Sequence, residues 1–196
     1  MPKIAWDPST MLNPLPAVLV ASRSGKAVNV FTVAWAGTIC TRPPMVSISI
    51  RPERYSYELI KKSGEFVINL PGENLVTAVD FCGQKSGRDI DKFATCKLHT
   101  EDASIVKAPL IRECPVAIEA RVEEIKKLGS HHMFIAKVLA VNVEKHLVAK
   151  KYDRFRMDKA NLLCYNHGHY CGVSESLGRF GFSNKKIHKS KHVRKK

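Results

Sequence analysis

Several features are missing from this 196-residue chain, and each absence removes a class of function. No apolar run approaches the roughly 20 residues that a membrane-spanning helix requires. The N-terminal stretch MPKIAWDPSTMLNPLP has prolines and an Asp where a signal peptide would carry its apolar core, so it reads as the start of a cytoplasmic protein. There is no CxxC pair: Cys40, Cys82, Cys96, Cys114, Cys164 and Cys171 are scattered, and without a secretion signal they read as reduced thiols rather than a disulfide framework. Internal repeats are absent, as is any paired-carboxylate or nucleophile–base set that would mark a hydrolase. Acid is scarce, with 18 Asp and Glu against 32 Lys and Arg, a net charge of +14. The excess is uneven. Residues 185–196, KKIHKSKHVRKK, carry seven basic residues and no acid, which is half the net charge. They read as a basic, disordered tail with weak nucleic-acid attraction, following one domain over 1–184. A nucleic-acid-binding barrel would interleave aromatics with Lys and Arg on an exposed sheet, and the strands here lack that pattern.

The residues that are present describe a β-rich domain. PAVLVAS (16–22) reads as a strand, Ser24-Gly25 as a turn and AVNVFTVAW (27–35) as the returning strand, with Asn29, Phe31, Val33 and Trp35 on one face. MVSISIR (45–51) alternates cleanly: Val46, Ile48 and Ile50 face one way, Ser47, Ser49 and Arg51 the other, and Pro52 stops it. ERYSYELIKKSG (53–64) predicts a short helix ended by Gly64, and EFVINLP (65–71) another strand. ENLVTAVDFCG (73–83) predicts a helix with Leu75, Val76 and Val79 inward, and GQKSGRDIDKF (83–93) a loop anchored by Phe93. Residues 116–128 and 132–144 read as long strands joined at Gly129-Ser130-His131, with Val116, Ile118, Ala120 and Val122 inward and Glu119, Arg121 and Glu123 in water. Antiparallel strands with short helices between them predict a small closed barrel. Residues 145–184 are Gly- and aromatic-rich and less regular.

The 29–71 stretch carries the functional signal. Six residues of strand span roughly 20 Å, about the reach of an extended mononucleotide cofactor. Asn29 is polar on a mostly apolar face shared with Trp35, whose flat surface suits a ring. Backbone at Gly37-Thr38 can approach that ring closely. Ser56 lies in the first turn of its helix, where free N–H groups and the dipole favour an anion, with Arg51 and Arg54 nearby. On the bland reading Ser56 is a capping residue, Asn29 a strand-end polar group and Lys92 a solvated surface lysine.

The pieces NVFTVAW, TRPPMVSISIRPERYS, SGEFVINLP, SGRDIDKF, GSHHMFIAKV and LGRFGFS occur in an order that covers about residues 13–183. In that order the chain resembles a flavin reductase-like protein of the flavoredoxin type, a mainly β, antiparallel FMN-binding split barrel with short helices. The resemblance implies a homodimer with one FMN per subunit near the interface. It implies an oxidoreductase passing electrons from NADH, NADPH or a redox protein to an acceptor, or otherwise an FMN-binding electron carrier or flavin store. It places Asn29 and Trp35 along the flavin and the backbone of Ala36, Gly37, Thr38 and Cys40 beside the isoalloxazine ring. Ser56, Arg51 and Lys92 would serve the phosphate or its surroundings. His131 matches the histidine of the family's Gly-Asp-His turn, which here reads Gly129-Ser130-His131, and would tune the ring or its protons. Cys164 stands where relatives often carry an aromatic residue near the flavin.

Cys164, His167, His169 and Cys171 lie within CYNHGHYC. Four ligands in so short a loop would strain a tetrahedral Zn or Fe(II) site, so the segment is expected to be a Gly-Tyr-rich loop near the flavin with His167 and His169 at the surface, metal binding and a redox role for Cys164 being the lesser readings.

Overall fold

The computed structural model describes residues 1–149, 154–173 and 175–183; the basic run 185–196 lies outside them. Strands β1 (Leu15–Pro16), β2 (Val18–Ser24), β3 (Ala27–Val33), β4 (Ala36–Cys40) and β5 (Met45–Ile50) precede helix α1 (Tyr55–Ser63). Strand β6 (Glu65–Leu70) leads to α2 (Val76–Gln84) and α3 (Lys92–Cys96). Short strands β7 (Thr100–Glu101) and β8 (Leu110–Ile111) come before the long pair β9 (Val116–Lys127) and β10 (His132–Val143). The chain continues through β11 (Val148–Ala149), β12 (Arg154–Phe155), β13 (Leu163–Asn166) and β14 (His169–Gly172). No helix among the described residues is long and apolar enough to cross a membrane.

Seven antiparallel strands form the main sheet in the order β3-β2-β6-β9-β10-β5-β4. It curls around one apolar interior to which almost every strand contributes: Val20, Phe31, Ile48, Phe66, Ala120 and Phe134, closed off by Ile60 of α1. Phe66 and Phe134 are fully buried, and burial of such a side chain contributes about 1.5–3 kcal/mol. Bulges between Ile135/Ala136 and Val138/Ala140 bend the long β9–β10 pair. The end strands β3 and β4 are not ladder partners, so the barrel is split rather than closed as the strand count alone predicted.

A second cluster lies outside the sheet, where Leu19 and Val30 meet Val79 and Cys82 of α2 together with Leu98 and Ile111. It fixes α2 and α3 against β2 and β3, and so sets the walls of the cleft described below. Helix α1 begins after Arg54, which is extended (ψ 135°), and stops at Gly64 (φ 70°), whose N–H donates to Ile60 O. A left-handed φ of that kind is nearly free for glycine only.

Four local expectations need correcting. Lys92–Cys96 is a helical turn rather than the end of a loop, because Asp91 accepts from the Ala94 N–H and caps it. Val76 is 37% exposed, and the inward residues of α2 are Ala78, Val79 and Cys82. Trp35 lies beyond the end of β3 and is 44% exposed, not seated on the shared strand face. Glu119 is fully buried, not in water. Residues 104–106 cross the outer face of β9 there and give its carboxylate N–H bonds from Ser104 (2.9 Å), Ile105 (2.7 Å) and Val106 (3.0 Å), and Asn142 Nδ2 adds a fourth at 2.7 Å. Burial alone would raise the Glu119 carboxyl, but hydrogen bonds from the Ser104 and Asn142 side chains and from this backbone bring it down to about 2.

Candidate functional site

The β2–β3 hairpin sets Ser22 directly opposite Asn29, and both side chains are buried beneath the first turn of α1. Asn29 Nδ2 donates to Ser56 Oγ at 2.8 Å and Ser22 Oγ donates to the same oxygen at 3.3 Å. A hydroxyl accepts two hydrogen bonds and donates one. Both lone pairs of Ser56 are therefore occupied and its proton is left for a ligand. The N-cap of α1 is Arg54 and Ser56 is the second residue of the helix, so the plain capping role does not describe it.

Ser56 lines a cavity of about 210 Å³ together with Arg51, Arg54, Lys85, Ser86 and Lys92, among others. Four cations against the single carboxylate of Glu53 make it electropositive, and the α1 N-terminus adds its dipole. Lys92 is 3% exposed. Its Nζ donates to Val30 O at 3.0 Å and Cys82 O at 2.9 Å, which satisfies two of its three N–H groups and joins β3 to α2. It is neither a flexible cation nor a solvated lysine. Burial, first of all, holds its pKa below the ordinary lysine value; Cys82 works against this and Arg54 adds to it.

Arginines draw the 83–88 segment over the cavity. Arg54 Nη1 donates to Gly83 O (3.2 Å), Arg88 Nη1 donates to Glu53 O (3.1 Å), and the Arg88 guanidinium lies 5.2 Å from the centre of the Tyr55 ring. Gly87 packs so closely on Asn29 that a Cβ there would sit 2.0 Å from Oδ1.

A second cavity of about 440 Å³ shares Phe31, Arg51 and Arg54 with the first and adds Trp35, His131, Tyr165 and Tyr170. The Trp35 and His131 rings lie nearly parallel, 9° apart with centroids 6.1 Å apart. Ser130 Oγ lies 3.0 Å from His131 Nδ1, so the serine in the Gly-Ser-His turn holds the imidazole. Partial burial and then Arg51 push the His131 pKa below its ordinary value, with Glu53 opposing; a neutral ring is favoured near pH 7. The two chambers form one elongated cleft, aromatic at one end and cationic at the other.

The structure thus brings Asn29, Trp35, Arg51, Ser56, Lys92 and His131 to this cleft. Ala36, Gly37, Thr38 and Cys40 lie along β4 at the sheet edge, and Cys164 lies on β13; none of these five lines either chamber. Sequence reasoning did not single out Lys85, Ser86 and Gly87, although a polar, glycine-bearing run after a helix is a recognisable anion-loop signal. Tyr165 and Tyr170 carried no signal beyond their aromatic character. Among the described residues no group of three or more His, Cys, Asp or Glu could hold a metal ion.

A model of the flavin reductase-like domain matches residues 11–174. An uncharacterized protein of Pyrococcus abyssi is 35% identical over 152 residues, 78% of this chain and 83% of its own length. The flavoredoxin of Desulfovibrio vulgaris (Miyazaki F) superposes with a TM-score of 0.86 at 28% identity, covering 93% of this chain and 99% of that one. A flavoredoxin from Methanosarcina acetivorans shares the fold with a TM-score of 0.87 at 23% identity, over 95% of this chain and 100% of that one.

Proposed function

The chain belongs to the flavin reductase-like domain family, and we propose that it binds FMN in the two-chamber cleft and acts as a flavin-dependent oxidoreductase. The observation that carries this reading is the junction of an aromatic chamber and a cationic one through Phe31, Arg51 and Arg54, which suits a flat ring tethered to a phosphate. The residues present fit that group. The Ser56 proton, the third Lys92 N–H and the Arg51 and Arg54 guanidiniums supply charge-assisted donors for a phosphate, and Trp35, Tyr165 and Tyr170 supply apolar walls for a ring. Bound flavin would supply the electron chemistry itself.

The protein's part is to bind, orient and exclude water. Hydrogen bonds within the protein hold Lys92 and Asn29 in place, which limits the ordering that binding requires. Neutral His131, held by Ser130, can donate or accept one proton beside the ring chamber. NADH, NADPH or a reduced redox protein is the donor we expect. A homodimer is part of the same proposal, supported by apolar side chains without cover in a single chain: Ile39 on the edge strand β4, and Leu177 and Phe180 near the end of the described residues. A cytoplasmic setting fits the six free thiols.

The test is anaerobic. Purified protein loaded with FMN is mixed with NADH and then NADPH while absorbance near the flavin maximum is followed. Bleaching by either nucleotide supports the reductase. Bound flavin that stays oxidised with both leaves an electron carrier that needs a protein donor.

A further inference from the structure

The CYNHGHYC segment contributes only its tyrosines to the cleft. The segment expected to be a loop is instead a β-hairpin of β13 and β14, turned at His167 and Gly168, both at positive φ (46° and 93°). Its register sets Tyr165 opposite Tyr170 and Cys164 opposite Cys171. Alternation along a strand places the tyrosine pair, which lines the ring chamber, on one face and the cysteine pair on the other.

We propose that Cys164 and Cys171 are a reversible dithiol–disulfide pair, a site of thiol exchange with low-molecular-weight disulfides of the glutathione type. Directly opposed residues in an antiparallel ladder have Cα atoms about 4.5–5.5 Å apart. That lies within the range of about 4.4–6.8 Å that a disulfide spans, so the backbone spacing admits the bond. The register sets the two side chains side by side on that face, and burial first, then the neighbouring Cys171, raises the Cys164 thiol above its ordinary value. Both cysteines are partly exposed, and a small disulfide can reach them. The loop that would be closed, residues 165–170, is short. A crosslink over so short a loop removes less chain entropy than one over a long loop, which leaves it easier to reduce.

The exchange balances. One cysteine thiolate attacks a sulfur of glutathione disulfide, the S–S bond breaks, and one glutathione thiolate leaves. The second cysteine thiolate attacks the protein sulfur of the mixed disulfide and releases the second glutathione. The two protein thiols lose two electrons and two protons, and glutathione disulfide gains them as two thiols. The bond would staple the hairpin that holds Tyr165 and Tyr170, the latter tied to α2 by its hydroxyl donating to Asp80 Oδ1 at 3.2 Å. No flavin takes part, so failure to bind FMN and failure to form this bond are separate results.

The full-length protein is equilibrated with oxidised glutathione, alkylated under denaturing conditions and digested with trypsin. Lys159 and Arg179 bracket a peptide, 160–179, whose only cysteines are Cys164 and Cys171. The expected product is that peptide lacking two hydrogens and carrying no alkyl group, returning to the doubly alkylated form after dithiothreitol. In Cys171→Ser the remaining Cys164 should stop at a mixed disulfide with glutathione, and Cys164→Ser should stop likewise at Cys171. A wild-type peptide that stays doubly alkylated in oxidised glutathione, or that carries two glutathiones with no internal bond, overturns the proposal.

Discussion

Replacing Gly87 by Ala should damage the cationic chamber while leaving the core intact. An added Cβ would lie 2.0 Å from Asn29 Oδ1, 2.6 Å from its Cγ and 3.0 Å from its Nδ2. Asn29 is 4% exposed, and its amide is committed to Ser56 at 2.8 Å, so it cannot swing aside without breaking that bond. A buried donor left unpaired costs about 1–3 kcal/mol, which corresponds to roughly a five- to 150-fold loss of FMN affinity if binding requires the intact Asn29–Ser56 pair. Apoprotein is titrated with FMN by following the quenching of flavin fluorescence, beside a Gly37→Ala control, where the added Cβ meets nothing within 4 Å. The control should bind as wild type. In an Asn29→Ala background the clashing atoms are gone, so Gly87→Ala should add no further loss, a coupling of the kind that neighbouring sites show. Unchanged affinity in Gly87→Ala, or losses that simply add in the double variant, would refute the reasoning.

The remaining predictions concern single groups. Ser56→Asp should weaken FMN binding more than Ser56→Ala, because Ala removes the hydroxyl and leaves the buried Asn29 Nδ2 without its acceptor, about 1–3 kcal/mol, whereas Asp sets a like charge against the phosphate; parallel titrations compare them. The Glu119 carboxyl is held at about 2 against an ordinary 4.5, so its stabilisation is complete above pH 4.5 and is lost as pH falls toward 2. That amounts to about 3 kcal/mol, and urea unfolding of wild type and Glu119→Gln should differ clearly at pH 7 and converge near pH 2. The His131 imidazole should titrate below the ordinary histidine value by NMR, and Arg51→Gln should move its midpoint upward, because the guanidinium is one of the groups depressing it.

Much of the fold was legible because it follows from local rules. The Val46-Ser47-Ile48-Ser49-Ile50 alternation became β5 with Val46, Ile48 and Ile50 buried, and Gly64 ended α1 as its freedom at positive φ suggests. The position of Ser56 in the first helical turn was legible too, but its partners were not, since Ser22 and Asn29 reach it only after the β2–β3 hairpin packs on α1. Glu119 looked solvated because strand periodicity cannot show that residues 104–106 will cover that face. Lys92 looked like a surface cation because nothing local reveals that Val30 O and Cys82 O converge on its Nζ. The split between β3 and β4 is likewise a property of sheet closure, which no single strand records. The aromatic wall of Tyr165 and Tyr170 depends on a hairpin more than 100 residues away in sequence from Trp35 folding back over it.

The most direct test of the two-chamber cleft is a pair of calorimetric titrations of the apoprotein, one with FMN and one with riboflavin, repeated at low and high salt. Riboflavin keeps the ring and lacks the phosphate. A phosphate seated among Ser56, Lys92, Arg51 and Arg54 should make FMN bind at least about tenfold more tightly, since one charge-assisted hydrogen bond contributes about 1.5–3 kcal/mol. That advantage should shrink as salt screens the cations exposed at the chamber mouth. Equal affinities for the two flavins, or binding of neither, would contradict the account.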